Sequence, residues 1–232
     1  MNKIKKITHI ILLFLIIPIR NKFKFISYLK SSNSQLRQDL FALSFLDFKK
    51  NGFFIEFGAC DGLYFSNTFL LEKTFNWKGI LCEPGQIWHE NLLNNRNCFI
   101  DFQCIWKESN KSITLFESTD PGLSSLYSDA NNLNLQNLRT NKSHYSVNTI
   151  TLKDILLKYN APKIIDFLSI DTEGSEYEIL ENFDFQMYKF RIICIEHNYS
   201  DSRNAIYKLL TKHGYIRKYP FISRFDDWYI LS

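Results

Sequence analysis

The apolar positions of this chain fall into short runs separated by amphipathic stretches. Runs at 53–57, 79–82, 98–102, 112–116, 164–170, 190–195, 214–219 and 227–231 have the length of β-strands, bounded by turn-forming residues. Between them, 66–75, 86–95, 151–159, 175–182 and 202–213 read as helices. An earlier helix is predicted over 34–48, where Leu36, Leu40, Leu43 and Phe48 recur at helical spacing, Ser34 serves as N-cap and Asn51-Gly52 ends the pattern. Ser175 and Glu178 have capping-box spacing, which starts the helix after the 164–170 strand. Strands alternating with helices predict an α/β domain whose sheet is mostly parallel. The last two strands are separated only by 220–226, too short for a parallel crossover, so they are expected as an antiparallel hairpin at one edge.

Two segments stand outside this alternation. Residues 117–146 form a long Asn- and Ser-rich stretch opened by Asp120-Pro121-Gly122, and a loop of that length in a compact domain is expected to carry function or to lack order. Residues 1–30 are basic and apolar: Ile10 to Ile19 form an uncharged run flanked by Lys3, Lys5, Lys6, Arg20, Lys22 and Lys24. The run is short against the ~20 residues of a membrane span, and no small-residue cleavage site follows it. Two readings stay open. The segment lies on an anionic membrane face as a peripheral anchor, or it packs as a helix on a domain formed by 31–232.

Composition narrows the class. With 45% hydrophobic and 22% charged residues the 232-residue chain is globular rather than disordered, and of a size for one α/β domain. Its net charge of +4 is small and concentrated before residue 31, which gives little electrostatic support to nucleic-acid binding. The five cysteines contain no Cys-x-x-Cys pair; buried reduced thiols, a reducing compartment and hence the cytoplasm are expected, on the inner membrane face if residues 1–30 anchor the chain.

The chemistry-bearing residues gather at predicted strand ends. Phe53 to Phe57 runs into Gly58-Ala59-Cys60-Asp61-Gly62, a turn of the form Glu-x-Gly-x-x-x-Gly with Glu56 as the acid. Glycines allow close backbone approach to a nucleoside, while a carboxylate repels a pyrophosphate and attracts a cationic amino-acid group, so S-adenosylmethionine suits this turn better than a dinucleotide. About 20 residues on, the strand ending at Cys82 delivers Glu83-Pro84, where an acid grips ribose hydroxyls. Asp101 to Cys104, after the next strand, is the expected adenine contact. Asp171, Glu173 and Glu176 crowd one strand-to-helix turn, and Glu196-His197-Asn198 ends the next strand. His197 beside Glu196 suits a general base, and the grouped carboxylates offer a site for Mg²⁺ or a similar hard cation. Each has a structural alternative: acids at helix starts serve the helix dipole, and His197 can be an ordinary imidazole.

Taken in order, SQLRQDLFAL, FFIEFGACDG, GILCEP, VNTITLKDIL, IDFLSIDTEGSEYEIL and IICIEHNY resemble the FkbM family of S-adenosylmethionine-dependent methyltransferases, over roughly residues 34 to 231. The most diagnostic block is SIDTEGSE, similar to the family's Asp-x-Glu-Gly-x-Glu signature. The resemblance implies a class I methyltransferase fold, Rossmann-like, with a seven-stranded mostly parallel sheet and an antiparallel edge hairpin. It also implies O-methylation, commonly of a sugar hydroxyl in a bacterial surface glycan or a secondary metabolite. By position it implies that Glu56, Gly58, Ala59, Asp61 and Gly62 cradle the methionine part, that Glu83 holds the ribose, and that Asp171 and Glu173 line the floor near the methyl group. Asp171, Glu173, Glu196 and His197 are the catalytic candidates, with a small molecule or glycan as acceptor. A methyltransferase-like fold that only binds, without catalysis, is the alternative; a nicotinamide oxidoreductase is disfavoured by the lack of Gly-x-Gly-x-x-Gly.

Overall fold

The computed structural model describes residues 3–118 and 141–232. Among them, seven strands form one sheet in the order β3-β2-β1-β7-β8-β10-β9: β1 (Phe53–Phe57), β2 (Lys78–Cys82), β3 (Phe99–Asp101), β7 (Ile164–Ile170), β8 (Lys189–Glu196), β9 (Tyr215–Lys218) and β10 (Asp226–Leu231). Strands β3, β2, β1, β7 and β8 run parallel, whereas β10 is antiparallel to both β8 and β9. The predicted hairpin therefore closes the edge, with the later strand inside it. The chain leaves β1 toward β2 on one side and β7 toward β8 on the other, so the order reverses between β1 and β7. A sheet of this kind opens a crevice at that reversal, above the strands' carboxyl ends.

Helices cover both faces. On one, α6 (Leu152–Lys158), α7 (Glu176–Glu181) and α8 (Ser202–Lys212) accompany a core containing Ile55, Ile80, Leu168, Ile193 and Tyr229. On the other, the core contains Phe54, Leu81, Phe167, Ile192 and Trp228 with residues of α3 (Gln38–Phe45), α4 (Phe69–Phe75) and α5 (His89–Asn95). The alternation of β1 explains the division, since Phe54 and Ile55 point to opposite faces. The helix predicted over 34–48 begins only at Gln38, because Arg37 at its N-cap adopts φ 65° and Ser34 instead pairs with Phe65 in an isolated bridge. The capping box at Ser175 does not form: the Glu176 carboxylate accepts from the backbone N–H of Thr172 and Gly174, and the Ser175 hydroxyl donates to Thr172 Oγ1.

The strand predicted at 112–116 lies outside the main sheet. As β5 (Ser112–Ser118) it pairs antiparallel with β6 (Asn141–Ile150), and β6 pairs in parallel with the short β4 (Cys104–Ile105). Strand β6 occupies part of the expected 117–146 loop, a correction with a simple cause: Tyr145 and Val147 face Leu115 and Cys104 with polar residues between them, an alternation masked by the Asn and Ser content. The Gly122 to Leu126 part of that stretch lies outside the described residues.

At the N-terminus α1 (Lys3–Ile16) and α2 (Lys22–Tyr28) pack on the domain. Leu13, Ile17 and Phe25 are buried in the same core as Leu40 and Phe41. The His9 ring approaches the Leu36 carbonyl at 3.1 Å, and Asn21 donates to the Ser44 carbonyl at 2.6 Å. Among the described residues no helix is long and apolar enough to cross a membrane.

Candidate active site

A cavity of about 300 Å³ lies above the crevice, and its floor is built by register. Across the sheet, Glu56 of β1 pairs with Ser169 of β7, and Ser169 with Cys194 of β8. Two residues further along, Gly58, Asp171 and Glu196 form the next row, and Glu196 pairs with Asp226 of β10. All of these line the cavity. Asp226 joins the carboxyl-end rim because β10 is antiparallel, which brings its first residue to where its neighbours end.

The turn after β1 is shaped by its backbone. Gly58 has φ 73°, and a Cβ there would stand 1.9 Å from the Asp171 carbonyl oxygen, so only glycine lets this turn rest against the exit of β7. Cys60, at φ 47°, donates its N–H to Glu83 at 2.8 Å. Glu83 is buried, accepts a second bond from Gly85 N–H at 2.7 Å, and is pushed up to about 7 by burial, which those two amide donors only partly offset. Two amides leave lone pairs for further donors; the carboxylate itself lies outside the cavity lining, next to Cys60, which belongs to it.

Other predicted cofactor residues have duties inside the fold. Glu56 lines the cavity, yet it accepts from Asn67 N–H at 2.6 Å, Ser66 Oγ at 2.9 Å and Thr68 Oγ1 at 2.5 Å, with Arg96 at 3.7 Å. Its carboxylate thereby fixes the 66–68 segment that walls the cavity. Asp61 makes a turn, accepting from Leu63 and Tyr64 N–H at 2.9 and 2.7 Å, and Gly62 leaves room for Arg96 and Leu92. Asp101 and Cys104 stand away from the cavity, contrary to expectation. Asp101 is taken by Lys158 at 2.6 Å and Tyr159 at 3.1 Å, and Cys104 sits with Leu115 and Val147 in the small sheet, where burial pushes its thiol up to about 12.

The catalytic candidates divide in the same way. Carboxylate oxygens of Asp171, Glu173 and Glu196 lie within 4.8 Å of one another, and all three line the cavity. Glu173 is held at φ 57°, a left-handed backbone that non-glycine residues seldom take and that recurs at functional turns. Burial raises Asp171 and Glu196, and each feels the other: Asp171's charge raises Glu196 further, while the hydrogen bond from Glu196 steadies the Asp171 carboxylate. The pair therefore shares a proton, with Glu196 the holder and Asp171 the acceptor. His197 is a correction. It follows Glu196 on the strand and so faces the other side of the sheet, away from the cavity lining. There its Nδ1 accepts from Tyr199 N–H at 2.9 Å, Nε2 stands 3.8 Å from Asp227, and burial lowers its pKa, leaving a neutral ring.

Residues not anticipated complete the cavity. Gln38 donates to Asp226 at 2.7 Å, and burial pushes Asp226 up to about 7. Asn67 donates to Ser169 at 2.9 Å, while Ser34 Oγ is 2.5 Å from both Asn67 Oδ1 and Gln38 Oε1. Tyr64, Phe65 and Trp88 add aromatic wall. The sequence held one signal for Asp226, since an antiparallel last strand must start on this rim.

The family model described as the methyltransferase FkbM domain matches residues 56–218. The chain belongs to the FkbM methyltransferase family. Among solved structures, the methyltransferase FkbM of Methylobacillus flagellatus KT is similar in fold at TM-score 0.51 and 14% identity; the alignment covers 97% of this chain and 59% of that one. A precorrin-6y C5,15-methyltransferase of Geobacter metallireducens GS-15 aligns at TM-score 0.44 and 13% identity, over 78% and 72% of the two chains. No curated protein sequence matches the chain. As an FkbM-family methyltransferase with the seven-stranded, mostly parallel sheet, it presents the Gly58 turn and the Asp171 and Glu196 carboxyls in the cavity at the reversal of strand order, with Glu83 at the end of the neighbouring β2.

Proposed function

We propose that the protein is an S-adenosylmethionine-dependent O-methyltransferase acting on a sugar hydroxyl. The observation that carries this reading is the cluster of Asp171, Glu173 and Glu196, whose carboxylate oxygens lie within 4.8 Å of one another on the cavity wall, with the Asp171 carbonyl packed against the Gly58 turn. Three features support the donor: the close approach allowed at Gly58, the buried Glu83 carboxylate with lone pairs to spare for ribose hydroxyls, and a cavity at the lower end of the ~300–1,000 Å³ usual for ligands. Bound there, the donor supplies an electrophilic methyl carbon.

With the donor held by the Gly58 turn, Asp171 would accept the acceptor's hydroxyl proton, while the donor would supply the methyl group to that oxygen and keep the carbon–sulfur electron pair on its departing sulfur. A base whose proton affinity has been raised toward the working pH takes a proton efficiently without being idle as the acid. The amide of Gln38 and the carboxyl of Glu173 stand at the same cavity to orient the acceptor. Tyr64 and Phe65, ring centroids 3.9 Å apart and both solvent-exposed, offer aromatic faces at its wall against which the apolar face of a sugar ring would pack.

Transfer of a labelled methyl group from S-adenosylmethionine to a panel of sugars and nucleotide sugars tests the reading. With a responsive acceptor, Asp171→Asn is expected to lower kcat about 100-fold or more while S-adenosylhomocysteine binding stays within a few-fold. Activity should rise with pH as Asp171 itself loses a proton, through about 7, and level off above it. Unchanged turnover in Asp171→Asn would remove the base assignment. The three clustered carboxylates also favour a variant in which a hard cation binds the acceptor oxygen. Loss of turnover in EDTA, restored by Mg²⁺, would select that variant.

A further inference from the structure

The first helices have two apolar faces where one would suffice. His9, Leu13, Ile17, Asn21 and Phe25, every fourth residue, are buried against the domain. The opposite positions, offset by two, are Ile7, Ile11, Leu15, Ile19 and Phe23, and all are exposed: Leu15 is 64%, Ile19 86% and Phe23 82% accessible. Leu12 and Ile26 widen the stripe. Within a helix turning 100° per residue, positions offset by two lie on opposite sides, and the exposed side chains of Ile19 and Phe23 carry the stripe from α1 past the Pro18 junction into α2. A helix that needed only to dock on the domain would be polar on its outer face.

Charge decides what covers the stripe. The chain carries basic residues at 3, 5, 6, 20, 22, 24, 30 and 37 and no acid before Asp39. Lys22 and Lys24 flank the stripe, their ammonium groups 4.7 Å and 5.7 Å from the Phe14 and Phe48 rings, and Lys24 and Lys30 are exposed. Among the described residues the Asp47 carboxylate reaches this segment, and Arg20 holds it at 2.7 Å. A second copy of the chain seated on the stripe would set these cations against one another. An anionic lipid surface neutralises them while its acyl boundary takes the side chains of Leu15, Ile19 and Phe23.

We infer that α1 and α2 form a monotopic anchor which lays the protein on an anionic membrane surface through this stripe, the domain staying folded against their other face. With α1 at 14 residues, the anchor lies in the interface rather than spanning it. Such binding draws on buried apolar area, and gains about fivefold for each basic residue held at the surface.

Co-sedimentation of the full chain with vesicles of phosphatidylcholine containing about one-third phosphatidylglycerol tests this, pure phosphatidylcholine vesicles being the comparison. The wild type should sediment with the anionic vesicles and less with the neutral ones. Ile19→Glu with Phe23→Glu should weaken binding at least tenfold, and Lys22→Glu with Lys24→Glu should abolish the preference for phosphatidylglycerol. All four side chains lie outside the core, so circular dichroism melting and S-adenosylhomocysteine binding should match the wild type; if one pair fails to fold, the other still decides. Sedimentation with neither vesicle, or equal binding of wild type and both variants, would overturn the anchor. So would a lipid-free dimer in analytical ultracentrifugation that Ile19→Glu with Phe23→Glu dissociates, since the stripe would then belong to a second copy.

Discussion

Single residues carry opposite duties within a few positions of one another. Glu56 near the end of β1 and Glu83 just past β2 are both buried acids, yet Glu56 is saturated by residues 66–68 whereas the carboxylate of Glu83 accepts from the Cys60 and Gly85 amides. Since Glu83 sits at about 7 in the free protein and a ribose would donate to its ionised form, S-adenosylhomocysteine affinity should rise with pH through that value and level off above it. Calorimetry across pH 5–9 checks this, with Glu83→Gln expected to flatten the profile and weaken binding about tenfold or more. The placement of Glu83, Asp171 and Glu196 at the carboxyl ends of strands was legible in the sequence, because each closes an apolar run of strand length. His197 misled because proximity in sequence is separation across a sheet. Gln38 and Asn67 had no signal, since an amide gains meaning only from its neighbours in space.

Elements are tied together by one buried cation. Arg96, at the C-cap of α5, has a side chain with no exposure and reaches Glu72 of α4 at 2.7 Å, Glu56 of β1 at 3.7 Å, the Gly62 carbonyl at 3.0 Å and Thr68 Oγ1 at 2.9 Å. Burial alone would raise Glu72, yet the guanidinium holds it below the usual carboxylate range. Replacing Arg96 by Met leaves two buried carboxylates without their partner, so a loss on the order of 3–5 kcal/mol is expected in urea unfolding, together with weaker S-adenosylhomocysteine binding as the 66–68 wall loosens. Nothing in the sequence marked Arg96, a lone arginine after a polar helix. Strand periodicity, by contrast, was plain wherever a strand was buried on both faces, as in β7 and β8, and failed for β6, which covers only a small cluster with one side.

The whole molecule keeps several acids on the neutral side of balance. Asp39, Glu83 and Asp226 are pushed up to about 7, chiefly by burial, so the folded state binds protons more tightly than the unfolded chain. Stability from this source is complete below the unfolded values near 4 and is lost as pH rises through about 7. Thermal melting should therefore fall by about 5 °C or more between pH 6 and pH 8, and Asp226→Asn should reduce that slope; a midpoint that rises with pH would contradict the assignment. The fold itself was readable from alternation and loop length, because crossovers and a short last connection leave few topologies. The small sheet was not, since it depends on contacts far apart in sequence, while the packing of α1 and α2 on the domain was one of two readings the sequence left open. Gly58 against the Asp171 carbonyl has one further consequence, for the diversification of this protein. The Gly58 turn proposed to hold the donor and the proposed proton acceptor Asp171 cannot drift separately, because a side chain at one needs a displaced backbone at the other. New acceptors must then be acquired at the rim, around Tyr64, Phe65 and Trp88, while the transfer chemistry is inherited as a block.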